Sequence, residues 1–510
     1  MNIRKPLHLQ SRGMNKAYLP PAQFTMTKDE KYLFLKMLKD VRVPNGYSSN
    51  ISRCVRLQNK NISGLKSHDS HILMQQLIPL GVRGLLPKNV VQALIELSNF
   101  FRQLCSKVNR QTDVANIQRR IALTLCHLEK IFPPAFFDIM EHLPIHLGDE
   151  ALVAGAIQFR WMYPIERYLL TLKQYVRNRA HPEGSMAKGY LMEECMNFCS
   201  QYLNDVETKL NRLVRNYNGA ANMGRAVGET ITFNLGHTSY VQCHRYILFN
   251  TKAVEPFLKK HLEELKMKMP RADDHQHRNE HFKTFHTWFK EHVHTLRRTD
   301  NAIFSEEIHT LANGPHTGAR RFTGYITNGF HFRVKSMDDR RASQNSSVAL
   351  KADTISYASQ KDKNPRVGAV YYYGQVTDII EIRYTNAMKY VLFKCDWIDN
   401  VRGKKKDNFK FTLINFNHLL YRDDQIANEP FILVSQAEQV WYVADPIESD
   451  WQVVVKMSQR GLFDMYSTDP ETEPYMSQQL QENIMVRDEE VGWVREVVEG
   501  ETVDVEIREN

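Results

Sequence analysis

Through the first part of the chain apolar residues recur at three- and four-residue steps; in the last third they give way to dense runs of Val, Ile, Tyr and Phe. After Pro87, the residues Val90, Ala93, Leu94, Leu97, Phe101 and Leu104 mark one buried face of a helix. A second helix starts at Thr112 or Asp113, runs through Ile117, Ile121 and Leu125, and is stopped by the prolines of IFPPAFF. Pro164 sits where another helix can begin, with Ile165, Tyr168, Leu169, Leu172, Tyr175 and Val176 as its buried stripe. Residues 216–230 read as loop, and 240–298 as helix dense in His and Lys. The polar stretch 333–366 reads as a linker with room for one strand. Then come VYYYGQVTDIIEIRY, KYVLFKCDWID, FKFTLINF and EPFILVSQAEQVWYVADP, separated by turn-type residues, which predict a small antiparallel β-barrel with Trp397 and Trp441 in its core. The expected fold class is therefore α+β, a mainly α-helical N-terminal part followed by the barrel.

With 510 residues, 42% hydrophobic and 25% charged, the chain can bury two or three cores and is not disordered throughout. It has no run of about 18 apolar residues, so no membrane partner is expected, which leaves cytosol or nucleus. Seven scattered cysteines without a CxxC fit reduced thiols; Cys195 and Cys199 share a helix face and read as core. The net charge of +9 hides an asymmetry: residues 461–510 hold 14 acids against 3 bases, so residues 1–460 carry +20. Such a body suits a polyanion, and it equally serves solubility. His261, His275, His277, His281, His286, His292 and His294 read as solvated positions on an amphipathic helix, with a pH-sensitive surface as the lesser reading. Lys404, Lys405 and Lys406 read as a solvated hairpin loop rather than a nuclear signal.

Two motifs carry candidate chemistry, His142-Leu-Pro-Ile-His146 and the helix bearing Glu166. Glu166 lies off the apolar stripe, and at about 100° per residue Lys173 and Arg177 return to nearly its angular position. A carboxylate that holds a divalent metal while cations meet phosphates has this pattern. So does a solvated face with an ion pair, which the residues alone favour.

The segments GLKSHDSHILMQQLIPLGVRGLLPKNV (64–90), KIFPPAFFDIMEHLPIHL (130–147) and QFRWMYPIERYLLTLKQYVRNRAHPEGSMAKGYLMEECMNFCSQYL (158–203) closely resemble the region after the catalytic block of plant CACTA-type (En/Spm) transposases. The strand-rich text resembles a second domain of the same reading frames, and the likeness covers most of residues 1–446. Ser70 and Lys188 depart from the family text. The resemblance implies a ribonuclease-H-like transposase in which two aspartates and a glutamate hold Mg²⁺, with a zinc site built from an upstream CxxC and a later HxxxH. Glu166 takes the place of the catalytic glutamate, His142 and His146 that of the histidine half of the zinc site, and Lys173, Arg177 and Arg179 are the expected DNA contacts. The aspartates and the CxxC are expected upstream of Met1, so this chain by itself is expected to hold neither Mg²⁺ nor Zn²⁺ and not to be an enzyme.

The implied organisation is a helical insertion-like segment (1–118), a transposase-associated helical domain with HxxxH and Glu166 (119–235), a His/Lys-rich helical region (236–332), the linker (333–366), the barrel (367–446) and an acidic flexible tail (447–510). The expected function is that of the C-terminal part of a transposase-derived nuclear protein. It would bind DNA weakly and without sequence preference, and meet other transposase subunits or chromatin proteins. The alternative is a repurposed, non-catalytic chromatin- or protein-interaction protein that uses its barrel.

Overall fold

The computed structural model describes residues 5–11, 16–45, 47, 50–106, 108–157, 160–202, 224–299, 305–356, 366–457, 493–495 and 497–504. Its first half is helical: β1 (Gln10–Ser11), β2 (Lys16–Leu19), α1 (Lys28–Asp40), β3 (Val55–Arg56), β4 (Asn61–Ile62), α2 (Ser67–Ile72), α3 (Ile78–Val82), α4 (Lys88–Leu104), α5 (Gln111–Ile131), α6 (Ile139–His142), α7 (Pro144–Ala154), α8 (Tyr163–Gln174) and α9 (Pro182–Tyr202). Then follow β5 (Arg225–Asn234), α10 (His237–Phe249), α11 (Glu255–Lys268), α12 (Asp274–Thr299), α13 (Glu306–Asn313), β6 (Gly318–Thr327), β7 (Phe330–Arg333) and α14 (Lys335–Asp338). The strands β8 (Ser347–Ser356), β9 (Arg366–Arg383), β10 (Lys389–Trp397), β11 (Lys404–Lys406), β12 (Thr412–Ile414), β13 (Phe431–Leu433), β14 (Glu438–Ala444), β15 (Gln452–Lys456) and β16 (Glu501–Asp504) complete the chain.

α1 begins where Thr27 and Glu30 cap each other: the Glu30 amide donates to Thr27 Oγ1 at 3.1 Å and the Thr27 amide to Glu30 Oε2 at 2.8 Å. Burial raises the Glu30 pKa, but the Thr27 amide and Arg495 outweigh it and hold the carboxyl below its ordinary value. Arg495 donates to both Glu30 oxygens, at 2.8 and 2.5 Å, and to the Leu85 carbonyl at 2.7 Å. β16 pairs with β2 along four residues. The region expected as an acidic flexible tail therefore supplies β15, β16 and this clamp, because its few apolar and basic residues find partners in the helical half.

The strands form an eleven-stranded sheet in the order β11-β12-β15-β14-β8-β9-β10-β13, with β5, β6 and β7 branching from β9. All ladders are antiparallel. β9 is the spine, because its 18 residues pair with β8 over Arg366–Gln375, with β10 from Gly374 onward and with β6 at Ile379–Glu381. No closed barrel is found among the described residues, which corrects the expected one. Helices cover much of the sheet instead, and at its curled end the sheet covers itself.

One core packs Ile247, Phe285, Phe289 and Leu311 of α10, α12 and α13 against Val376, Ile379, Ile382, Leu392 and Phe393. Another packs Leu35, Leu38, Leu80, Val91 and Ile95 of α1, α3 and α4 against Leu413, Trp441, Val443, Val453 and Val455. Between β9, β12 and β14 the sheet curls around Ala349, Tyr373, Ile414, Val440 and Tyr442. The stretch expected as a linker, 333–366, holds β8, which pairs with β9 along ten residues from Ser347 to Ser356. Its alternating Ser, Ala and Lys hide a strand whose stability comes from that partner. Residues 225–230, expected as loop, open β5.

Candidate functional site

α6 is a single turn capped by Asp138, whose carboxylate accepts from the Met140 amide at 2.6 Å. Glu141 foremost and the Met140 amide hold the Asp138 pKa low. Pro144 opens α7, and the chain turns through Leu143 without losing the four-residue relation between the two histidines. His142 Nε2 and His146 Nε2 stand 3.2 Å apart, with ring centroids at 5.1 Å, and both rings are exposed. One ring must carry its proton on Nε2 and the other present a lone pair there. A divalent metal replacing that proton would gain two nitrogen ligands on one side and would need the rest from elsewhere. Among the described residues no group of three His, Cys, Asp or Glu converges to hold an ion, so Glu166 does not complete the pair. α7 is anchored on α5, where Gln118 donates to the Ile145 carbonyl and any Cβ at Gly148 would collide with that side chain.

Glu166 is exposed in the first turn of α8, where a carboxylate complements the positive end of the helix dipole. Lys173 is exposed near the other end of α8. The helix stops at Gln174, so Arg177 leaves the expected ridge and stands with Arg179 in the loop before α9. Asn178 and Ser185 brace that loop through the Asn178 amide and Ser185 Oγ, 3.2 Å apart. The expected stripe is buried only at its far end, where Leu172, Tyr175 and Val176 are half-buried and Gly189 of α9 leaves room for the Tyr175 ring. Ile165, Tyr168 and Leu169 are 52%, 50% and 55% exposed, and Leu191, Met192, Met196 and Phe198 of α9 are also at the surface. Cys195 and Cys199, expected as core, are exposed too.

The histidine-rich stretch differs from its expectation as well, because His261, His277 and His281 are buried where α11 packs on α12. Sequence reasoning also passed over two buried polar positions. Arg83, before α4, donates to Asp407 at 2.5 Å and pairs with Asp445, joining the helices to the β11–β12 and β14–β15 turns. Burial lowers its pKa and Asp407 opposes that. Arg102 is buried beside Asn99 with no carboxylate partner among the described residues, and desolvation pulls its pKa down to about 9. The partners of Arg83 come from distant segments, so it had no local signal, and the spacing of Arg102 from Asn99 does not reveal its burial.

Residues 104–217 match the family model of a domain of unknown function, DUF4218, and residues 380–454 match that of a second domain of unknown function, DUF4216. The first match spans α5 to α9, and so both candidate motifs; the second spans the end of β9 to β15. Both are domains typical of plant transposase-derived proteins. No curated protein and no solved structure matches the chain. Among the described residues no helix is long and apolar enough to cross a membrane.

Proposed function

We propose that this chain is the C-terminal part of a CACTA-type transposase-derived protein that acts in the nucleus. In this reading it binds DNA weakly and without sequence preference, docks onto other transposase subunits, and does not catalyse by itself. The observation that carries this reading is the α8–α9 hairpin. There Glu166 stands exposed beside apolar faces left at the surface, as the acid of a catalytic helix would where that helix meets a partner subunit. The presence of two domains typical of plant transposase-derived proteins supports this reading, and the +20 balance of residues 1–460 supports the polyanion. Glu166 would then be one of three metal-binding acids of a ribonuclease-H-like site. His142 and His146 would be half of a zinc site, with Mg²⁺ and Zn²⁺ held only by the complete assembly. The same apolar faces would serve the rival reading, a non-catalytic chromatin- or protein-interaction protein.

The test is a salt titration of the purified chain with labelled duplex DNA. Affinity is expected to fall about 10-fold or more between roughly 50 and 200 mM salt, to weaken when Lys173, Arg177 and Arg179 become Gln, and to leave the DNA uncut in Mg²⁺. A flat titration overturns the DNA reading. Cutting that vanishes in Glu166→Gln overturns the claim that the chain is inert by itself.

A further inference from the structure

At the curled end of the sheet, Tyr371 of β9 has lysines of three other strands beside it. Lys351 of β8 stands directly opposite it in the ladder and therefore on the same face. Lys404 of β11 reaches across the curl, where its Nζ donates to the Tyr371 carbonyl at 2.9 Å and to Asn400 Oδ1 at 3.2 Å and sits 5.5 Å from the centroid of the Tyr373 ring. Lys456 of β15 lies over the Tyr371 ring, its Nζ 3.5 Å from the centroid. The Tyr371 and Tyr373 rings run nearly parallel, 13° apart at a centroid distance of 6.3 Å. Tyr371 is partly exposed, Tyr373 is buried beneath, and Lys406 continues the basic edge.

Several cations elsewhere in the sheet are compensated. Arg321 pairs with Asp378, Lys394 with Asp424 and Lys405 with Glu448. Among the described residues, Lys351, Lys404 and Lys456 pair with no carboxylate. Three lysines without a carboxylate partner flank one partly exposed tyrosine, and Lys404, half-buried and hydrogen-bonded, is held in place before any ligand arrives. An ammonium over a ring face is a weak contact near water, on the order of 1 kcal/mol, and a phosphate oxygen competes for the cation readily.

The geometry points to a binding site for single-stranded nucleic acid in which a base stacks on Tyr371 while Lys351, Lys404 and Lys456 take the flanking phosphates. A duplex keeps its base faces covered, so only an unpaired strand can use the ring. This inference deepens the DNA-binding reading and rests on it, but it assigns the contact to the sheet rather than to α8 and the loop that follows it.

Fluorescence anisotropy of the full chain with oligothymidine and oligouridine of about 16 nucleotides tests it. Tyr371→Leu is expected to weaken the binding of at least one strand by roughly 5- to 100-fold, and Tyr371→Phe to restore it. Lys351→Gln with Lys456→Gln is expected to flatten the salt dependence, and duplex affinity is expected to stay within about 2-fold of the parent in Tyr371→Leu. Whichever strand responds names the source, DNA or RNA. If the parent chain binds strands that neither the tyrosine nor the lysine changes affect, the sheet site is wrong and the broader reading survives. Binding of polyglutamate as tight as that of the oligonucleotides reduces the cluster to plain charge and overturns the site. No binding of any nucleic acid at low salt overturns both.

Discussion

His261 and His281 meet with Nδ1 to Nδ1 at 2.7 Å in a box of Phe249, Phe285 and Trp288, so one ring donates and the other accepts, and neither can be charged cheaply. Burial pulls both pKa values to about 4, and charge on His261 adds to the shift of His281. His244, hydrogen-bonded to the Tyr384 hydroxyl at 2.7 Å, falls to about 3, again through burial first and then through His286 and Lys290. The unfolded chain protonates these residues near their ordinary 6.5, before the folded chain does. Stability is therefore whole above about pH 6.5 and is lost as pH falls from there toward 4, because the unfolded state binds more protons throughout that window. The thermal midpoint is expected to drop between about pH 7 and pH 4.5. Exchanging both His261 and His281 for Gln keeps a side-chain hydrogen bond while removing both titrations, so the drop should shrink; an equal drop in the double variant would show that these histidines do not govern it. A sequence shows that helix 274–299 is rich in His, but burial of His277 and His281 on it, and of His261 on α11, follows from the two helices lying together, which no local spacing reveals.

Among elements, α4 and α5 were legible because their apolar positions follow the helical period and prolines bracket them. β9 and β10 were legible because strands covered by helices carry long Val, Ile and Phe runs. β6 and β8 were not, since Gly, Arg, Ser and Ala dominate them, although Asn328-Gly329 between β6 and β7 held a usable signal. Both residues have positive φ, 51° and 73°, the conformation of a tight hairpin turn. α8 shows a different limit: its stripe told correctly which face is apolar but not what covers it. If the native chain leaves that face open, Leu169→Gln and Leu191→Gln each change unfolding free energy by no more than about 0.5 kcal/mol. Val91→Ala, which opens a void between α4 and the sheet, costs about 1–3 kcal/mol. Denaturant titration of the three variants checks this, and a loss above about 2 kcal/mol at Leu169 would mean that the hairpin is covered within the chain itself.

At the scale of the molecule, the chain is interlocked rather than strung as modules, and the two tryptophans show it. Both are 4% exposed, yet Trp397 belongs to the core shared with α10, α12 and α13, and Trp441 to the core shared with α1, α3 and α4. They were expected in one barrel because each sits in an alternating strand, and alternation records that one face is buried without recording which layer buries it. Residues 367–446 by themselves would expose Ile379, Ile382, Phe393 and Trp397, which pack in the core shared with α10, α12 and α13, and Trp441 and Val443, which pack in the core shared with α1, α3 and α4, and would lose β8, the partner of the first half of β9. That segment is therefore expected not to fold by itself, so its amide spectrum should lack dispersion and its thermal melt should lack a sigmoid. In the full chain, Trp397→Ala and Trp441→Ala should each cost about 3–5 kcal/mol and act on different partners. Hydrogen exchange should quicken first in 237–313 for Trp397→Ala and first in 28–104 for Trp441→Ala. A cooperative melt from the isolated segment, or the same exchange pattern in both variants, would show instead that the strands form a core of their own.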